Sequence, residues 1–359
     1  MTAIDSPMRV REDDLTAFAA ALLVRLGVPA NRAARAAETL VLADLRGVSS
    51  HGVARLGMYA RRIACGTIDP AAELTVVRES PATLALDAGD GLGLALAPEA
   101  TDRAIAKASE TGLAFCTVRN SSHFGIAGAY ALQAARAGLG AIAMTNAGPN
   151  VAPTGGAQPM LGTNPIAFAV PIGEGEPPLV LDMATSAVAL GKIEVARRAG
   201  SAIPAGWALD ETGSVTTDPF AARWLLPLGG HAETGGHKGY GLALMVDILC
   251  GPLAGSLWGT HLATLQRADV RSGIGHAFLV WRIDAFRDPD EFAADLRAML
   301  AELRACPPAP GSGPGCVLIP GDPEAAATAA NRDAGIPLDA GVAAELRELG
   351  RELEVDFPS

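Results

Sequence analysis

Residues 113–146 read LAFCTVRNSSHFGIAGAYALQAARAGLGAIAMTN. Residues 113–119 are a buried-strand run, 127–137 read as a helix, and 139–146 form a second apolar strand. A strand, a loop, a helix and a strand in 34 residues place the chain in the α/β class. A Rossmann dinucleotide site would put GxGxxG directly between strand and helix. No such fingerprint occurs. The glycine cluster GDGLGLAL around Gly89–Gly93 lacks the third glycine at its required offset.

Upstream of this unit the pattern is helical. Leu15, Phe18, Ala19, Leu22, Leu23 and Leu26 share one face of a helix over 13–27, which Asp13 or Asp14 caps and Gly27 ends. Asn31 is expected to cap a second helix running to about Gly47. A third begins near Ser49–His51 and ends at Cys65. ELTVVRE and ATLALDAG then read as two strands joined around Ser80–Pro81, followed by a helix over 97–111. Downstream, PIAFAVP and LVLDMA continue the strands. A helix starts near Ser186, and a long apolar helix spans Gly241–Cys250. HAFLVWRID is a late strand and 288–304 a helix. PPAPGSGPG is a linker before a short strand CVLIP, and helices over about 322–334 and 340–353 close the chain. No internal repeat is found.

Composition narrows the function. Of 359 residues, 49% are hydrophobic and 19% charged, which describes a compact globule rather than a disordered chain. The formal net charge of -11 and the lack of any Lys/Arg run argue against a nucleic-acid partner. The N-terminus has no signal-peptide core and no apolar stretch is long enough to span a membrane, so the expected location is the cytoplasm. Five scattered cysteines without a CxxC pair read as reduced thiols. There is no HExxH, no GxSxG and no shared metal spacing among the six histidines, so no metal is expected. A P-loop is absent as well: the GK at Gly191–Lys192 has Ser186 where the first glycine belongs.

Five segments carry chemistry. In DLRGVSSHGVARLGMYARRI (44–63), Ser50 and His51 stand at a helix entry and Arg55 follows His51 by four residues, on the same helical face. A guanidinium suits a carboxylate, and an imidazole with a reference pKa of about 6.5 suits proton exchange with a hydroxyl. A helix-start histidine and a surface ion pair fit the same residues. In RNSSHFGIAGAYA (119–131), His123 ends a strand and the helix N-terminus suits a phosphate; an ordinary loop histidine fits too. The Gly/Pro/Asn-rich loop 145–171 is too long for a plain connection and offers Thr163 and Asn164 to a ligand. LDMATSAVALGKI (181–193) carries Lys192, and GGHKGYGLALMVDILCG (235–251) sets Lys238 in a glycine-rich turn before a helix.

Taken together the segments resemble the malate/L-lactate dehydrogenase family, with its sulfolactate, ureidoglycolate and cyclic-imine-reducing relatives. The shared patterns occur in order: RG..SHG..R at 46–55, NS.HFG.AG.YA at 120–131, GTNP.A...P at 162–171, D.ATS....GK at 182–192, GG.KGYGL at 235–242 and PG.PE at 320–324, with DAGIPLD at 333–339. The resemblance runs from about residue 12 to 355. It implies a non-Rossmann α/β fold with a mixed sheet, made of a cofactor domain (71–324) and a helical cap on the substrate side (1–70 and 325–359). It implies a homodimer and a hydride transfer between NAD or NADP and a small 2-keto or 2-hydroxy acid. By the same resemblance Ser50 and His51 form a catalytic relay, and Arg55 and Thr163 bind substrate. His123, Phe124, Gly125, Ile126, Ala127, Asp182, Met183, Ala184, Lys238, Pro320, Gly321 and Glu324 line the cofactor. His123 and Lys192 stand as further catalytic candidates. Two departures matter. Leu190 stands where many members have Arg, and Lys192 where the imine reductases have Asp. The second favours a hydroxy acid over the alternative substrate, a cyclic imine carboxylate.

Overall fold

The computed structural model describes residues 8–311 and 315–358. Part of the PPAPGSGPG linker (312–314) and the first seven residues of the segment read for a signal peptide lie outside the described residues. The chain opens with β1 (Met8–Val10), α1 (Glu12–Arg25) and α2 (Ala30–Leu45), two single-turn 3₁₀ segments at Ser49–His51 and Val53–Arg55, and α3 (Leu56–Ala64). Next come β2 (Thr75–Glu79), β3 (Thr83–Asp87), α4 (Gly93–Thr111), β4 (Leu113–Ser121), α5 (Gly128–Arg136) and β5 (Leu139–Thr145). β6 (Ile166–Val170), β7 (Leu179–Met183) and α6 (Leu190–Ala199) lead to the short strands β8 (Ala208–Leu209), β9 (Val215–Thr216) and β10 (Trp224–Leu225). The remainder is α7 (Gly236–Cys250), β11 (Ile274–Arg282), α8 (Pro289–Ala305), α9 (Asp322–Ala334), β12 (Ile336–Leu338) and α10 (Ala340–Glu352).

The main sheet is mixed, with seven strands in the order β2-β3-β4-β11-β5-β6-β7. Only β3 and β4 pair in parallel; every other neighbouring pair is antiparallel. The late strand β11 inserts between β4 and β5, so the strand–helix–strand unit at 113–145 does not pair with itself. β11 is apolar along both faces because helices cover it on both sides: α4 and α5 on one, α7 on the other. The α4/α5 side is rich in alanine (Ala100, Ala104, Ala108, Ala131, Ala134), which lets helix backbones approach the sheet closely around Phe278 and Val280.

A second core joins the two ends of the chain. Leu15, Phe18, Leu22, Leu40 and Tyr59 from the N-terminal helices pack with Ile336, Leu346 and Leu349, while β1 pairs with β12. Several sequence expectations shift. Residues 49–55 are not a helix start, because Gly52 is extended and splits the segment into two 3₁₀ turns. Asn31 lies inside α2, whose cap position is Pro29. The apolar helix begins at Gly236, so Lys238 sits in its first turn rather than before it. The helix expected from Ser186 starts at Leu190, and CVLIP forms no strand among the described residues. The three-stranded β8–β10 sheet was not anticipated, because strands of two residues carry no readable alternation.

Gly140 of β5 lies directly opposite Trp281 of β11, and a Cβ there would sit 2.2 Å from the indole. Gly140→Val is therefore expected to destabilise the protein by about 1–3 kcal/mol, the usual cost of overpacking. Thermal unfolding of the variant checks this, and an unchanged Tm would mean that the indole moves aside freely.

Candidate active site

The site is built on the turn that follows α2. Asp44, buried at the end of that helix, accepts a hydrogen bond from the Val53 backbone N–H at 2.8 Å through Oδ2. Gly52 makes this possible, since a Cβ at that position would lie 2.1 Å from the same carboxylate. The turn so fixed presents three side chains. Ser50 Oγ meets His51 Nδ1 at 2.9 Å, and Arg55 Nε reaches back to donate to the Ser50 carbonyl at 2.6 Å. Arg55 thus adjoins His51 because the turn closes on itself, not because the two share a helical face. Its Nη groups have no hydrogen-bond or ion-pair partner among the described residues.

The second histidine arrives from the sheet. β4 ends at Ser121, and the loop after it brings the His123 ring to 5.5 Å from the His51 ring, the two planes 28° apart. Tyr59 of α3, wholly buried, places its hydroxyl 2.6 Å from His123 Nδ1. The loop rests on a packed floor. Phe124 stacks on His276 with centroids 4.4 Å apart, and the Tyr130 hydroxyl donates to the Phe124 carbonyl. His276 is sealed in β11, with its ring nitrogens 2.8 Å from the Thr145 and Ser121 hydroxyls. Arg62 of α3, buried and without a carboxylate partner among the described residues, donates to the carbonyls of Thr264, Arg267 and Val270 and to Ser272 Oγ. It bolts the 264–272 loop to the helix that carries Tyr59.

Electrostatics follow from burial. Desolvation first, and then the Arg55 charge, push His51 down to about 4. Desolvation, His51 and Arg55 hold His123 well below the usual histidine range. Burial likewise lowers His276 to about 3. A carboxylate bound at Arg55 would cancel one of the two causes acting on His51 and raise it.

Several of the cofactor candidates are brought together by backbone contacts. The Gly128 N–H, at the start of α5, donates to Asp182 Oδ2 at 2.7 Å. Packing of neighbours around the Asp182 carboxyl raises it to about 6, against the Gly128 hydrogen bond and Arg46, with Glu324 adding to the rise, although part of the side chain stays exposed. Gly321 caps α9 at φ 96°, and a Cβ there would lie 2.8 Å from the Val180 carbonyl. Segments 123–128, 180–184 and 320–324 are therefore held together. Phe124 and Ala127 turn into the core, so that loop offers mainly backbone. Lys192 and Lys238 stand apart: both side chains are exposed, and neither has a hydrogen bond or ion pair among the described residues. Thr163 is fixed through its carbonyl, which accepts from the Thr185 N–H and hydroxyl at 2.9 and 3.0 Å. Tyr59, Asp44, Arg46 and His276 were missed by sequence reasoning. The first three lie inside the 44–63 stretch it singled out, where only their residue types could have flagged them.

An α/β scaffold that brings an arginine with unengaged guanidinium nitrogens beside two neutral, closely packed imidazoles is an enzyme site suited to an anion and a proton. Comparison with known proteins agrees. The malate/L-lactate dehydrogenase family model matches residues 10–347. A malate dehydrogenase of Pyrococcus abyssi is 44% identical over 301 residues, 83% of this chain and 82% of the relative. The structure of sulfolactate dehydrogenase from Methanocaldococcus jannaschii superposes with a TM-score of 0.90 at 35% identity, covering 98% of each chain. That of Δ1-piperideine-2-carboxylate reductase from Pseudomonas syringae pvar. tomato gives 0.83 at 30% identity, covering 95% of this chain and 99% of the other. The chain belongs to the malate/L-lactate dehydrogenase family.

Burial raises Asp44 to about 7, partly opposed by the Val53 hydrogen bond. A carboxyl whose folded pKa exceeds its unfolded value near 3.8 favours the fold most at low pH, and that contribution is lost as pH rises through about 7. Asp44→Asn, which keeps an acceptor and cannot ionise, should show a smaller loss of stability than wild type between pH 5 and 8. Asp44→Ala should cost about 1–3 kcal/mol by stranding the Val53 N–H. Urea unfolding at the two pH values checks both; parallel pH dependences in wild type and Asp44→Asn would contradict the assignment.

Proposed function

We propose that the protein is an oxidoreductase that transfers a hydride between NAD(P)H and the carbon beside the carboxylate of a small 2-keto or 2-hydroxy acid. The observation that carries this is the Ser50–His51–Arg55 turn facing His123. Arg55 offers its Nη groups to the carboxylate, and a bidentate contact of that kind orients as well as binds. The carbon–oxygen bond then lies between the two imidazoles, where a proton is given or taken. Thr163 is taken as a second substrate contact and Lys192 as a further catalytic candidate, its exposed side chain having no hydrogen bond or ion pair among the described residues.

NAD or NADP would supply the hydride. The segments 123–128, 182–184 and 320–324 fit such a group: a loop opened by Gly125, a second turn opened by Gly321, and an acidic side chain, Asp182, suited to a ribose hydroxyl. We place the cofactor here without a Rossmann domain, a reading supported by the single parallel pair in the sheet. Lys238, in the first turn of α7, is taken as a further cofactor contact. The helical segments 1–70 and 325–359 would form the substrate-side cap on the 71–324 domain, supported by their shared core. No helix of the described residues is long and apolar enough to cross a membrane, and the free cysteines fit the reducing cytoplasm. A cyclic imine carboxylate is the second reading, favoured by the likeness to the piperideine-carboxylate reductase; Lys192 in place of Asp weighs against it.

A homodimer is part of the same proposal. α7 leaves Leu242, Leu244, Met245 and Ile248 exposed, with Leu253 and Trp258 following, although its other face packs on the sheet. Apolar surface on this scale is uncommon on a monomer, and a second copy is its expected cover.

Arg55→Lys should raise KM for a 2-keto acid about tenfold or more, about 1.4 kcal/mol of carboxylate binding, with a smaller change in kcat. Steady-state kinetics across a 2-keto-acid panel tests this; a KM within twofold of wild type would remove Arg55 from substrate binding. Ile248→Glu should convert the dimer to monomer in sedimentation velocity, because an unpaired buried charge costs several kcal/mol. A monomeric wild type, or a variant that stays dimeric, would exclude this face.

A further inference from the structure

The two histidines are held differently. His123 Nδ1 lies 2.6 Å from the Tyr59 hydroxyl and 3.3 Å from the Gly125 backbone nitrogen. A backbone N–H only donates, so Nδ1 presents a lone pair and the Tyr59 hydroxyl must donate to it as well. The one proton of the neutral ring is then on Nε2. That nitrogen has no protein hydrogen-bond partner among the described residues, and it is not among the buried polar atoms left unpaired. It therefore keeps accessible surface, free to meet a ligand. Protonating Nδ1 would set it against the Gly125 N–H and strip the hydroxyl of wholly buried Tyr59 of its acceptor. His51 faces no such restraint. Its Nδ1 meets the Ser50 hydroxyl, which donates or accepts as needed, and Ser50 is exposed to water.

We infer that Tyr59 is a positioning residue that holds His123 as a permanently neutral Nε2–H donor, so that His123 polarises the substrate oxygen while His51, coupled to Ser50, exchanges the proton. This rests on the oxidoreductase reading above. In reduction, a bound reduced nicotinamide would supply the hydride that adds to carbon as the C=O π pair moves to oxygen. The oxygen takes the Nε2 proton of protonated His51, whose Nδ1–H donates to Ser50 Oγ, and neutral His51 regains a proton at Nε2 from solvent. His123 keeps its proton throughout, and its hydrogen bond strengthens as charge grows on the oxygen. The depressed titration of His123 agrees with this division.

The test has two arms on the full-length protein. Imidazole ¹⁵N spectra of the wild type, with the His123 signals identified by their loss in His123→Gln, should show the Nε2–H tautomer unchanged from pH 5 to 9. In Tyr59→Phe an Nδ1–H population should appear. A titrating His123, or an Nδ1–H ring in the wild type, overturns the inference. In kinetics, His123→Gln keeps an amide N–H near the position of Nε2 and should retain at least tenfold more kcat than His123→Ala, with the inflection of the kcat–pH profile unmoved. His51→Gln should erase that inflection. If His123→Gln erases it, or is as slow as His123→Ala, His123 is the acid and the inference fails. If the wild type turns over no 2-keto acid or cyclic imine with NADH or NADPH, the oxidoreductase reading fails, and the role given to His123 fails with it. The tautomer assignment is still decided by the ¹⁵N spectra.

Discussion

The hydrogen bond from the Val53 N–H to the buried Asp44 carboxylate sets the geometry on which the site depends. It ties the turn 49–55 to the end of α2, and α2 is anchored in the core shared by both chain ends. Asn331 of α9 donates to the carbonyls of Asp44 and Leu45, so the C-terminal segment braces the same point. Ser50, His51 and Arg55 take their positions from this turn, and Gly52 is required there because any side chain would displace the carboxylate.

Burial does the rest of the chemical work. Enclosed imidazoles lose the solvation that favours their charged forms, and a neighbouring arginine adds to the effect. The sheet supplies the rigidity this needs. His276, neutral and paired at both nitrogens, stacks under Phe124 and carries the loop that ends in His123. A loop set on an aromatic pair and a paired histidine keeps the His123 ring within a narrow range of positions, the condition that the proposed polarisation requires.

The residues around the site come from distant parts of the chain. Arg46, in the turn after α2, feels the charges of Glu324 of α9 and Asp182 at the end of β7. The same short segment, 44–59, thus carries one arginine near the acidic pair and another, Arg55, near the histidines.

Much of this was legible in the sequence. Strands of five or more residues and the long helices announce themselves through periodicity, and the ordered patterns from 46–55 to 333–339 place His51, Arg55, His123 and Asp182 in one family of sites. Local pattern failed at 49–55, where helical spacing between His51 and Arg55 suggested a shared face but the Asp44 contact, nine residues away, imposes two tight turns instead. It failed again for β11, whose insertion between β4 and β5 is set by packing and not by its own residues. The sequence by itself determined which side chains are available and roughly which elements bear them, because those properties are local. Only the tertiary structure decided that Tyr59 and the Gly125 N–H meet the same nitrogen of His123, and that both histidines lie where water is scarce. Protonation and tautomer depend on neighbours brought together by folding across 64 residues of chain, and no local pattern encodes them.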